Sequence, residues 1–111
     1  TSAGVRVAYG DVVPALIDPP WDVDLYTFEG KAGDMALVSA TETAGDRRYG
    51  LQVDVFDPQG MSVAKASASD GNPVARITVR LASDGRYLIW VQQPSARTGP
   101  YTLSLKNLTG G

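Results

Sequence analysis

The chain is 111 residues long with a formal net charge of −2, a length that fits one domain spanning residues 1–111. Its hydrophobic fraction of 43% and charged fraction of 20% suit a globular protein and argue against disorder. It has no cysteine and no histidine, which excludes disulfides, thiolate metal sites and any Ser-His-Asp or Cys-His catalytic arrangement within the chain. No apolar run approaches the roughly 20 residues that cross a bilayer. Lysine and arginine are scattered, with Arg47-Arg48 the only adjacent pair, so the concentrated basic face of a nucleic-acid binder is not expected. Neither nucleic acid nor membrane insertion enters the reading. A start at Thr1 and an end at Gly110-Gly111 read as an excised domain or processed fragment.

Helical periodicity is nearly absent. Short alternating runs recur instead between Gly, Pro, Asp and Ser clusters, the pattern of an all-β sandwich or barrel. In chain order, strands are expected over residues 5–9 and 11–17 around Gly10. Asp18-Pro19-Pro20-Trp21 is a loop, because two prolines leave a ladder without donors. Strands follow over 23–29 and 35–41, separated by a Gly30–Asp34 turn, and then a polar loop runs to Arg48. Residues 51–57 and 61–66 flank Asp57-Pro58-Gln59-Gly60, a type I turn with Pro at i+1 and Gly at i+3. Residues 74–81 and 86–92 flank Ala82-Ser83-Asp84-Gly85, where Asp-Gly is expected to make a tight hairpin turn. Residues 100–105 form the last strand.

Alternation assigns faces. Tyr87, Ile89 and Val91 face inward, as do Tyr101, Leu103 and Leu105, then Ile77, Val79 and Leu81, and finally Leu51, Val53 and Val55. Tyr26 and Phe28 also point in, placing Asp24 on the inward side at the strand's start, where a carboxylate needs donors or a cation. For residues 35–41, either Met35 and Leu37 or Ala36, Val38 and Ala40 can face in. Leu25, Phe56, Leu88 and Trp90 are left pointing out. Clustered on one sheet they would form a contact patch, but whether they cluster depends on strand order.

The ordered motifs carry a resemblance. Gly10 precedes a strand. Asp24, Tyr26 and Phe28 form Asp-x-Tyr-x-Phe, followed by the Ala32-Gly33-Asp34 turn and the Asp57–Gly60 turn. Gly85-x-Tyr87-x-Ile89-x-Val91 and Thr98-Gly99-x-Tyr101-x-Leu103 close the series. Over residues 10–106 the chain resembles the bacterial pre-peptidase C-terminal domain. The resemblance implies a two-sheet antiparallel β-sandwich, jelly-roll-like, attached to a secreted hydrolase. It also implies a link to collagen-binding domains that use calcium, and to modules proposed to bind polysaccharide.

Each candidate residue has two readings. Trp90, outward on a sheet, either stacks on a sugar ring or proline-rich chain, or packs under a loop or on the parent protein. Trp21 is either a binding residue on a loop or a plug at one end of the sandwich. Leu88 and Phe56 extend the Trp90 patch. Tyr49, beside Arg47-Arg48, belongs to a contact site or to a solvated loop. Asp18, Asp22 and Asp24 are the candidate calcium ligands that the resemblance suggests, although residues 1–10 lack the acidic linker that completes such sites. The plainer reading makes them turn and capping residues. The expected function is a non-catalytic accessory domain of a secreted, extracellular bacterial hydrolase. It would bind a polysaccharide or a collagen-like protein polymer through an exposed aromatic. The alternative is a module that packs on its parent hydrolase and aids its folding, secretion or spacing. An enzyme built on a carboxylate pair is the weakest of the readings, since the acids sit mostly in turns.

Overall fold

The computed structural model describes residues 5–17, 23–43, 51–68, 74–92 and 99–108. These form nine strands: β1 (Val5–Arg6), β2 (Val12–Ile17), β3 (Val23–Gly30), β4 (Met35–Glu42), β5 (Gln52–Phe56), β6 (Ser62–Ser67), β7 (Val74–Arg80), β8 (Gly85–Gln92) and β9 (Gly99–Asn107). A five-stranded sheet has the order β1-β3-β8-β5-β6, and a four-stranded sheet has the order β2-β9-β4-β7. All pairings are antiparallel except β1 with β3, which is parallel. Along one side β6 lies against β7, so the edges of the two sheets meet there.

The core lies between the sheets, where inward residues come from alternate positions as period-two patterning requires. Tyr87, Ile89 and Val91, then Tyr101, Leu103 and Leu105, then Leu51, Val53 and Val55 are essentially inaccessible, as are Tyr26 and Phe28. Ile77 and Leu81 are buried, while Val79 is only half-buried against them. In β4 the inward set is Ala36, Val38 and Ala40, and Met35 and Leu37 turn outward. Burying each large apolar side chain is worth about 1.5–3 kcal/mol before entropy is counted.

Two turns differ from expectation. The first strand is shortened to Val5–Arg6, and residues 9 and 10 turn instead, with Gly10 at φ 96°. The larger correction concerns Asp84-Gly85, which does not close a hairpin. β7 belongs to the four-stranded sheet and β8 to the five-stranded one, so the segment crosses between layers. The reason lies in its anchors. Leu81 is buried and exchanges backbone hydrogen bonds with the β3–β4 turn, donating to the Asp34 carbonyl at 2.8 Å and accepting from Gly33 at 2.8 Å. The Asp84 carboxylate accepts the Ala32 N–H at 2.8 Å, and the Tyr87 hydroxyl donates to the Ser83 carbonyl at 2.8 Å. Gly85 has φ 141°, and a Cβ there would lie 2.7 Å from the Pro58 ring. The Asp-Gly pair therefore turns the chain from one sheet to the other beside a second sheet-crossing turn.

The Asp57–Gly60 turn forms as its residues require. Gly60 N–H donates to the Asp57 carbonyl at 2.9 Å, while Asp57 Oδ1 accepts from Gln59 and Met61 at 3.0 and 2.9 Å. This turn joins β5 to β6, which are paired through an irregularity between Val55 and Phe56.

Candidate binding face

The outer face of the five-stranded sheet is built by register. Leu25, Trp90, Asp54 and Lys65 are aligned across β3, β8, β5 and β6, and Thr27, Leu88 and Phe56 make the adjacent row. Outward hydrophobes that are far apart in sequence are thereby brought together. Phe56 reaches diagonally to Trp90, with ring centroids 5.1 Å apart and planes tilted by 49°, within reach of a diagonal cross-strand pair. Such a pair is worth about 0.5–1.5 kcal/mol beyond its burial. Both side chains are half-buried, as are Leu25 and Leu88.

Beside this pair lies a recess of about 520 Å³, floored by Leu88, Trp90 and Phe56 and walled by Arg86, Pro58 and Asp57. Its volume falls in the range of small-ligand sites, roughly 300–1,000 Å³. Arg86 extends from the same strand and face as Leu88 and Trp90, and its Nε lies 3.5 Å from the Glu29 carboxylate. Both of those side chains are well exposed, so the pair contributes little to stability. The Trp90 Nε1 is buried and has no hydrogen-bond partner among the described residues. Gln52 donates to Asp54 at 3.4 Å at the edge of the patch. An apolar floor of ring faces with cationic and carboxylate side chains at its margins is suited to a ring that carries hydroxyl groups. The ring's apolar face rests on the floor and its edge bonds to the walls.

Sequence reasoning identified Trp90, Leu88 and Phe56, and the structure brings all three together. It missed Arg86 and Asp57. Arg86 shares its parity with Leu88 and Trp90, a signal that was available. Asp57 was legible only as a turn residue, because its nearness to Trp90 comes from β5–β8 pairing. Trp21, Tyr49, Asp18 and Asp22 lie outside the described residues.

Asp24 is inward at the sandwich margin, as expected, and its donor is a tyrosine. The Tyr101 hydroxyl donates to Asp24 Oδ2 at 2.5 Å, and the Tyr26 and Tyr101 hydroxyls lie 2.7 Å apart. Tyr101 has one proton and gives it to Asp24, so Tyr26 donates to Tyr101. The chain of three ties β3 in one sheet to β9 in the other. Burial, and then the bond to Asp24, hold the Tyr101 hydroxyl well above the ordinary tyrosine range. Burial also raises Tyr26. A similar bond closes the other end of the sandwich, where the Tyr9 hydroxyl donates to Asp34 at 3.0 Å and is raised by burial and by that bond. Ca²⁺ takes about six to eight oxygens. Among the described residues no cluster of three or more acidic side chains is present, so those residues alone do not make a calcium site around Asp24.

No family model matches the chain, and no curated protein matches it by sequence. Solved structures are. The chain is similar to the pre-peptidase C-terminal domain of collagenase from Bacillus anthracis, with a TM-score of 0.76 and 20% identity over 96% of this chain and 97% of that one. It is also similar to PliG from Aeromonas hydrophila, a periplasmic inhibitor of g-type lysozyme, with a TM-score of 0.62 and 20% identity over 95% and 99% of the two chains. A third similar structure is the lectin domain of lectinolysin complexed with Lewis B antigen, with a TM-score of 0.51 and 15% identity over 90% and 72%. The fold is that of a pre-peptidase C-terminal domain, a two-sheet β-sandwich, as the motif series implied.

Proposed function

We propose that this chain is a non-catalytic, secreted accessory domain that holds a parent hydrolase to an extracellular polymer, using the outer face of the five-stranded sheet. The single observation that carries the reading is the Phe56–Trp90 pair with Leu88 at the floor of a recess walled by Arg86 and Asp57. Of the two polymer classes, a collagen-like protein and a polysaccharide, this arrangement favours polysaccharide. A pyranose ring has an apolar face for the indole and an equatorial edge of hydroxyl groups for a guanidinium and a carboxylate. The likeness to a lectin domain solved with a glycan supports the same choice, and the likeness to a collagenase domain supports attachment to a polymer.

A second reading has one observation in its favour. Beyond the patch, Val63 on β6 and Met61 just before it are 41% and 66% exposed. A protein partner, including the parent hydrolase, could cover that wider area. The likeness to a lysozyme inhibitor agrees with protein binding on this fold.

Co-sedimentation of the 111-residue chain with insoluble polysaccharides and with fibrillar collagen, with and without calcium, separates these readings. Retention on a polysaccharide that disappears in Trp90→Ala supports the proposal. Retention on collagen alone moves the ligand class to protein. Retention on no polymer, together with binding to the parent enzyme, replaces the proposal by the second reading. A calcium requirement would point to Asp22 and Asp24, and its loss in Asp22→Asn or Asp24→Asn would place the ion there.

A further inference from the structure

The outer face of the four-stranded sheet has a chemistry of its own. Its rows are Arg76, Ser39, Ser104 and Val12, then Thr78, Leu37 and Lys106, then Val74, Thr41, Thr102 and Pro14, with Arg80 beside Met35. No described outward position on this sheet carries an acid, although the chain has 12 acidic residues against 10 basic ones. The described acids lie on the opposite face, as Glu29 and Asp54 do, inside the sandwich, as Glu42 does, or at its ends, where backbone bonds set Asp34 beside Leu81 and Asp11 beside Leu105. Arg76, Arg80 and Lys106 are exposed, and none has an ion-pair or hydrogen-bond partner among the described residues. Four residues along a strand separate the two arginines by about 13 Å, and Lys106 lies two strands away, about 10 Å across the sheet. The three cations thus stand at the corners of an open triangle with Thr78 along its β7 side and Leu37 inside it, and Ser39 and Ser104 lie in the Arg76 row just outside. At the Lys106 corner a recess of about 480 Å³ opens, lined by Tyr9, Gly10, Lys106, Asn107 and Leu108.

We infer that this face is a second binding surface, for an acidic polysaccharide. Charge complementarity favours an anionic partner, because Arg76, Arg80 and Lys106 have no counter-charge among the described outward positions of this sheet and like-charged partners are repelled. Widely spaced charges, with Thr78 between the arginines and Ser39 and Ser104 in the Arg76 row, fit a polymer whose anions are themselves separated by sugar hydroxyls. The recess at Lys106 offers the Tyr9 ring beside the cation to one such unit. Carboxylate and sulfate share this chemistry, so both are tested. The inference is independent of the aromatic face, since the two surfaces lie on opposite sides of the core.

Binding of the full chain to dextran sulfate, polygalacturonate and uncharged dextran is measured at about 50 and 200 mM NaCl. The chain is expected to bind at least one charged polymer and to lose about twentyfold in affinity between those salt concentrations, as three neutralised charges on a flexible polyanion imply. The combined variant Arg76→Gln, Arg80→Gln, Lys106→Gln is expected to lose about tenfold or more at the lower salt and most of the salt dependence. Because all three residues are exposed, its circular dichroism and melting should match the parent chain. Trp90→Ala is expected to keep polyanion binding. The inference is overturned if neither charged polymer is retained above dextran, or if the triple variant binds as the parent does. Single-stranded DNA bound as tightly as dextran sulfate would also overturn the assignment to polysaccharide. So would loss of polyanion binding in Trp90→Ala, which would place it on the aromatic face.

Discussion

The two outer faces of this sandwich share one core and differ in almost everything else. One sheet presents Phe56, Leu88 and Trp90 at a recess, with Leu25 beside Trp90, and the other presents Leu37 and Val74 among serine, threonine and three cations that have no partner among the described residues. Core positions on both sheets follow from the same rule, apolar at alternate residues. The outward positions are not needed for burial, so their chemistry is free to differ. An aromatic pair gathered with Leu88 around a recess is therefore the more informative feature, since scattered outward hydrophobes need no explanation.

The largest effect is expected from Trp90→Ala, which should weaken polysaccharide retention by about thirtyfold or more, the loss of about 2 kcal/mol typical of an aromatic anchor. Co-sedimentation isotherms measure it, and retention of parent affinity would remove Trp90 as the anchor. Next comes the interior that separates the faces. Tyr101→Phe leaves Asp24 and Tyr26 without the hydroxyl between them, and should cost about 1–3 kcal/mol in urea unfolding with little change in binding at either face. An equal loss of binding would mean that the faces are coupled through the core.

The same tyrosines set a pH dependence. Tyr26 and Tyr101 are raised above the tyrosine value of 10.0, so the folded state holds their protons where the unfolded state releases them. The stability they contribute is fully present below about pH 10 and is lost as pH rises beyond it. Melting followed from pH 8 to 11, with Tyr101→Phe as the reference, should show the parent chain losing its advantage at the alkaline end. A flat difference between the two would contradict this. The smallest effect is expected at the rim, where Glu29→Gln removes an exposed ion pair with Arg86 and should change stability by less than about 1 kcal/mol.

Much of this was legible in the sequence, because strand faces depend on local alternation. The inward sets of β5, β8 and β9 could be assigned residue by residue, and so could Leu88, Trp90 and Phe56 as outward. Whether those three meet could not, since only the order β3-β8-β5 brings them together. The same limit hid the cationic triangle. Arg76, Arg80 and Lys106 are scattered along the chain and become neighbours only because β4 lies between β7 and β9. Asp84-Gly85 misled for a related reason. Its residues specify a turn, but Leu81, Asp84 and Tyr87 each bind the structure in ways that direct the chain to the other sheet. The choice between Ala36, Val38, Ala40 and Met35, Leu37 stayed open because both sets are apolar.

The most direct test of the central claim is a titration of the isotopically labelled chain with a soluble neutral oligosaccharide, followed by amide and indole N–H shifts. Assignment uses Trp90→Phe. Saturable shifts are expected at the Trp90 indole and at the amides of Leu25, Phe56, Leu88 and Arg86, with those of Ser39, Arg76 and Ser104 unmoved. Saturable shifts confined to the four-stranded sheet, or none at the Trp90 indole while binding proceeds, would contradict it.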